Sequence, residues 1–109
     1  MKPCLLFLSC KDIEEAEKIS HCLLEKKLIV CAKKIPISSS YLWKSKIESA
    51  KEVLLIMDST EENFEKVDQE VKKLHSYKTY TLLMIKINKI NSKSLKWLQN
   101  SLLLSNITE

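Results

Sequence analysis

Six side chains in this 109-residue chain could offer a soft or borderline ligand: Cys4, Cys10, Cys22, Cys31, His21 and His75. Thiolate and imidazole together suit copper in either oxidation state, and zinc. The cysteine spacings match no CxxC zinc pattern, and a chain with 45% apolar residues can bury a core without disulfide bridges, so free thiols are expected. His21 and Cys22 are neighbours in a helical segment, where adjacent side chains diverge and do not chelate one ion. His75 stands in "KKLHSYKTY", at the end of the clearest amphipathic run. There an imidazole either serves as a ligand or simply ends the helix, at the negative end of its dipole.

The rest of the composition narrows the chemistry. All 18 basic residues are lysine, against 14 acidic ones, for a net charge of +4. With no arginine there is no planar fork for phosphate or carboxylate, which argues against an acylphosphatase-like enzyme and against a specific anion site. With no glycine there is no glycine-rich phosphate loop. Single-stranded RNA recognition on a sheet needs stacking aromatics, yet "EVLLIMD" has none and "CLLFLS" only Phe7, so no nucleic-acid partner is expected. No transmembrane helix is expected, since the longest apolar runs fall well short of the roughly 20 residues a span needs. The N-terminal "MKPCLLFLSCKDIEEAEK" reads as a strand leading into a helix rather than a signal segment, and points to a cytoplasmic protein.

The elements that must position these residues follow from periodicity. "CLLFLS" is a buried strand. Asp12 and Glu15 have capping-box spacing before a helix from about Ile13 to Glu25, with Ala16, Ile19 and Leu23 on one face. "LIVCAKKIPISSSYLW" is a long strand bent or interrupted near Pro36, Lys44 to Lys51 a polar turn, and "EVLLIMD" the returning strand. Ser59 and Glu62 repeat the capping-box spacing before a helix carrying Phe64, Val67, Val71 and Leu74. "TYTLLMIKI" is a last strand, and Leu95, Leu98 and Leu102 mark a short final helix. The order βαββαβ plus a C-terminal helix, over one domain spanning residues 1–109, is the α+β, ferredoxin-like split βαβ arrangement. Its helices cover one face of the sheet. The strands are apolar without clean alternation, so both faces should be buried, the second by self-association.

On these residues the chain resembles the divalent-cation tolerance (CutA) family, from about Leu5 to Leu102. The likeness is carried by the stretch from Glu14 to Pro36, by "SYLWKSKIE" from Ser40, by "EVLLIM" with the helix after it, by "LHSYKT" from Leu74, and more weakly by "LKWLQ" from Leu95. The resemblance implies a tight homotrimer of PII-like architecture in which long hairpin strands cross subunit boundaries. It also implies an association with copper and other divalent ions, and no enzymatic activity. By position it makes Cys31 and His75 candidate metal ligands, with Cys10 close to a family cysteine on the first strand. Tyr41, Trp43, Lys46, Glu48 and Tyr77 become candidates to line an inter-subunit cleft. A second reading of the same architecture is a PII-like regulatory trimer that senses a small ligand in those clefts. The chain departs from the family pattern at Ser76 and Tyr80, where prolines are usual, at Lys44-Ser45 after Trp43, and at Asp58.

Overall fold

The computed structural model describes residues 1–102. The chain runs β1 (Pro3–Cys10), α1 (Ile13–Glu25), β2 (Cys31–Trp43), β3 (Lys46–Thr60), a 3-10 turn (Glu61–Asn63), α2 (Phe64–Leu74), β4 (Leu82–Lys86) and α3 (Ser92–Ser101). The remainder of the expected domain, residues 103–109, lies outside the described residues. The strands form one antiparallel sheet in the order β2-β3-β1-β4, the ferredoxin-like α+β topology, with α3 appended.

Burial alternates strictly along β1 and along the second half of β3, so the two faces differ more than the apolar sequence suggests. Cys4, Leu6, Leu8 and Cys10 of β1 stand beside Ser59, Met57, Leu55 and Val53 of β3, and this face is sealed by Ala16, Ile19 and Leu23 of α1 and by Val67 and Val71 of α2. The opposite face carries Leu5, Phe7, Leu54 and Ile56, only half-buried, flanked by exposed Ile35, Leu83 and Ile85. Among the described residues, therefore, one apolar face is closed and the other only half-buried.

The β2–β3 hairpin is longer and its turn tighter than expected. Strand pairing continues to Trp43↔Lys46, which leaves Lys44 and Ser45 alone as the turn. The polar segment from Lys46 to Lys51 is strand because each residue has a partner across the hairpin, and cross-strand pairing outweighs its weak local preference. Pro36 does not interrupt β2; it pairs with Val53 on an edge strand, where a residue without an N–H is tolerated. Beyond the end of β1 the hairpin projects as an arm, and the molecule measures 49 × 28 × 22 Å. The tip exposes Leu42 at 75% and Ile47 at 79%. β4 is shorter than expected, five residues from Leu82.

Helix ends explain the remaining local structure. Asp12 Oδ1 accepts the Glu15 N–H at 2.9 Å, as its cap position requires. The reciprocal half is displaced by one residue, because the Glu15 carboxylate accepts the Lys11 N–H at 2.9 Å. The second expected capping box does not form. Ser59 belongs to β3, whose ladder with β1 runs on to Thr60, and its hydroxyl donates to the Leu28 carbonyl at 2.6 Å. At the far end of α1 the Leu28 N–H reaches back to Leu23 O and the Lys27 N–H to Leu24 O, both at 3.0 Å, a Schellman closure. That closure puts Lys27 at φ 57°, and the hairpin turn puts Lys44 and Ser45 at 52° and 66°. Side chains with a Cβ pay a steric cost there that glycine avoids.

Replacing Lys27 by glycine should therefore stabilise the protein by about 1 kcal/mol. Urea denaturation at fixed protein concentration, giving a higher midpoint at unchanged slope, is the check.

Candidate functional site

One end of the sheet gathers a thiol, a carboxylate and an imidazole. Cys10 is the last residue of β1 and points to the helix-covered face; Glu15 lies in the first turn of α1; His75 caps α2. One donor atom from each lies within 4.8 Å of the other two. The Cys10 residue is 0% exposed, and the side chains of Glu15 and His75 are 6% and 0% exposed.

His75 is fixed by its backbone neighbours. Its Nε2 lies 2.8 Å from the Ser9 carbonyl, which can only accept, and its Nδ1 accepts the Tyr77 N–H at 3.0 Å. This is the neutral tautomer with the proton on Nε2. A ring nitrogen that donates to a carbonyl is how metal-binding histidines are commonly oriented; here the lone pair of the other nitrogen is held by the Tyr77 N–H. Nδ1 is 3.8 Å from Glu15 Oε1. Tyr80 stacks on the ring at 5.2 Å, and Tyr77 leans against it at 4.9 Å. Each tyrosine is tethered in turn, Tyr77 donating its hydroxyl proton to Glu52 at 2.7 Å and Tyr80 to Asp68 Oδ1 at 2.6 Å.

Burial works against ionising Glu15, yet the N–H groups of Lys11 and Ser76 outweigh it and hold the carboxyl below its usual range. The Ser76 N–H lies 2.7 Å from Glu15 Oε2. The proline usual at this place in the resembling family has no such donor. Burial first, then the negative charge of Glu15, Asp12 and Glu52, pushes the Cys10 thiol up to about 12. Cys10 is thus a protonated thiol until something replaces the proton. The imidazole proton is committed to Ser9, and the thiol is closed to solvent.

Of the residues the sequence singled out, the structure brings Cys10 and His75 together and leaves Cys31 out. Cys31 opens β2 opposite Asp58, in the cross-strand row that continues to Leu5, so it lies on the open face of the sheet. Its sulfur is 3.6 Å from Lys33 Nζ, which also pairs with Asp58 at 3.3 Å. Within one chain Cys31 and His75 cannot share an ion, because the sheet separates them. Glu15 is the residue that sequence reasoning missed; its spacing from Asp12 marked it as a helix cap and hid its second role. Tyr41, Trp43, Lys46 and Glu48 share one face of the arm, Tyr41 opposite Glu48 and Trp43 opposite Lys46, all exposed. Tyr77 is tied to Glu52 at the base of the arm, on the cross-strand row that runs on to Tyr41 and Glu48. His21 is exposed, its Nε2 3.5 Å from Glu25 Oε2, while Cys22 turns to Glu70, so the two diverge as expected.

Comparison with known proteins agrees with the resemblance. The sequence model of the family described as CutA1 divalent ion tolerance protein matches residues 4–101. The divalent-cation tolerance protein CutA of Archaeoglobus fulgidus is 38% identical over 96 residues, covering 88% of this chain and 94% of that protein. Its counterpart in Thermotoga maritima is 34% identical, covering 91% and 98%. Among solved structures, the periplasmic divalent cation tolerance protein CutA from Archaeoglobus fulgidus superposes with a TM-score of 0.89 at 36% identity, over 91% of this chain and 97% of that one. CutA1 from Oryza sativa gives 0.93 at 26% identity, over 96% and 97%.

Because the Glu15 carboxyl is depressed in the folded protein, its contribution to stability is complete above the ordinary carboxyl range and is lost as pH falls through the lowered value. Glu15→Gln should cost about 1–2 kcal/mol near neutrality, the worth of hydrogen bonds to a charged acceptor. The deficit should shrink as pH drops below about 4. Denaturation of both proteins across that pH range provides the measurement.

Proposed function

The chain belongs to the CutA1 divalent ion tolerance family, and on that premise we propose that it is a homotrimeric binder of copper or similar divalent ions, with Cys10, Glu15 and His75 as the ligands. The observation that carries this reading is the convergence of three different donor types within 4.8 Å at a buried place. A thiolate, a carboxylate oxygen and an imidazole nitrogen suit copper and zinc better than hard ions such as magnesium. We read the protein as non-catalytic and residues 1–109 as one domain. We also read it as cytoplasmic, supported by four free thiols, although the Archaeoglobus structure is described as periplasmic. Among the described residues no helix is long and apolar enough to cross a membrane.

Trimer formation is supported by what one chain leaves uncovered. The half-bare row of Leu5, Phe7, Leu54 and Ile56 and the exposed tip of the arm are apolar surfaces that a second and third copy would hide. The aromatics Tyr41 and Trp43, with Lys46 and Glu48, would then line clefts between subunits, Tyr77 standing at the cleft base. A position on the apolar sheet face makes Cys31 a packing residue of that interface.

Copper(II) and zinc binding followed by competition with a chromophoric chelator, under reducing conditions for zinc, tests the metal reading. Binding should be abolished in Cys10→Ala plus His75→Ala and retained in Cys31→Ala. Since the ion must displace the Cys10 proton, zinc affinity should rise about tenfold per pH unit near neutrality. Equal binding by the double variant and the parent would sink the assignment.

Sedimentation should give three copies per particle at micromolar concentration. Phe7→Glu, which buries a charge in the proposed interface, should yield smaller species or aggregate. A parent protein that sediments as well-behaved single chains would overturn the assembly.

A further inference from the structure

The site described above is already filled from within. An imidazole nitrogen has one in-plane lone pair, and that of His75 Nδ1 is taken by the Tyr77 N–H at 3.0 Å. The adjacent Ser76 N–H sits on Glu15 Oε2 at 2.7 Å. Two successive backbone donors thus point their positive ends at two of the three candidate ligands. The donor atoms spread to 4.8 Å, whereas bonds to a single zinc would draw sulfur and nitrogen to about 3.5 Å of each other. An ion cannot bind Nδ1 while the Tyr77 amide stays in place.

We propose that the segment from Ser76 to Tyr77 is a latch whose amides hold the place of the metal, and that metal entry releases it and is felt at the base of the β2–β3 arm. This rests on the metal reading above and says how that site is regulated. The mechanical link is Tyr77. Its backbone closes the site, and its hydroxyl donates to Glu52 at 2.7 Å; Glu52 lies on β3, opposite Ile37, just beyond the end of β1. Movement of the latch therefore breaks a contact to the first arm residues not supported by β1. Tyr80, stacked on His75 and bonded to Asp68 on α2, stays with the helix and leaves Tyr77 as the moving side of the sandwich. His75 itself has φ −75° and ψ 139°, a conformation that tolerates a following proline, so the Ser76 donor can be deleted without disturbing the residue before it.

The test combines zinc binding with hydrogen–deuterium exchange of the full chain under reducing conditions. With zinc bound, the amides of Ser76 and Tyr77 should exchange at least roughly tenfold faster, and those around Ile37 and Glu52 should also speed up, as expected when a hydrogen bond is released. Tyr77→Phe removes the Glu52 tether, and Ser76→Pro removes the Ser76 donor. Each should raise zinc affinity, by roughly tenfold for the loss of one such bond. In Tyr77→Phe the arm should no longer respond to zinc. Zinc bound by Cys10 and His75 with the two amides equally or better protected overturns the latch and leaves the metal reading standing. Zinc binding that is absent, or indifferent to Cys10→Ala plus His75→Ala, removes the metal reading and the latch with it. An arm that responds equally in Tyr77→Phe removes the proposed link.

Discussion

A strand presents its side chains alternately to two faces, and helices placed on one side of a sheet can cover only one of them. This constraint organises the protein. The row from Cys4 to Cys10 on β1 meets α1 and α2 and makes a closed core, while the interleaved row of Leu5 and Phe7 is almost as apolar and, among the described residues, stays only half-buried. Which face a cysteine occupies then decides its chemistry. Cys10, on the covered face, is brought to a histidine and a glutamate; Cys31, on the other, is left beside Lys33 and Asp58.

At the Cys10 end of the sheet, one carboxylate joins the two halves of the fold. Glu15 takes one N–H from the β1–α1 connection and another from the segment after α2, and it faces His75 as well. The two helices are thereby fixed relative to each other at their functional ends. A buried charge so heavily hydrogen-bonded is cheap to keep ionised, and it supplies the negative field in which a cation would be held. Burial first, and then the same field, keeps the neighbouring thiol protonated. The site is therefore preorganised in charge but not in geometry.

The fold was legible because its apolar runs are long and its order simple. The boundaries of α1 were readable from Asp12 and Glu25, since cap chemistry is local. What escaped was governed by distant partners. The strict alternation of β1 is invisible in "CLLFLS", where both rows are apolar, so facing could not be assigned; Cys31 was grouped with His75 by the resemblance alone. Ser59 and Glu62 have the right spacing for a cap, but the ladder with β1 claims Ser59 first. Lys46 to Lys51 looks like turn until the strand opposite is known. Glu15 was noticed for its bond to its own helix, and only folding reveals what lies behind it. The left-handed residues Lys27, Lys44 and Ser45 carry no glycine to announce them.

The arm has one further consequence. Past the end of β1 its two strands pair, among the described residues, only with each other, with the Tyr77–Glu52 hydrogen bond at the base, and Leu42 and Ile47 at the tip stand largely exposed. An isolated two-stranded ribbon is marginal in water, so the order of this one is lent by whatever lies against it. Where that support is another copy of the chain, its cohesion would be a property of dose as much as of sequence: dilution would loosen it and abundance firm it, by mass action alone.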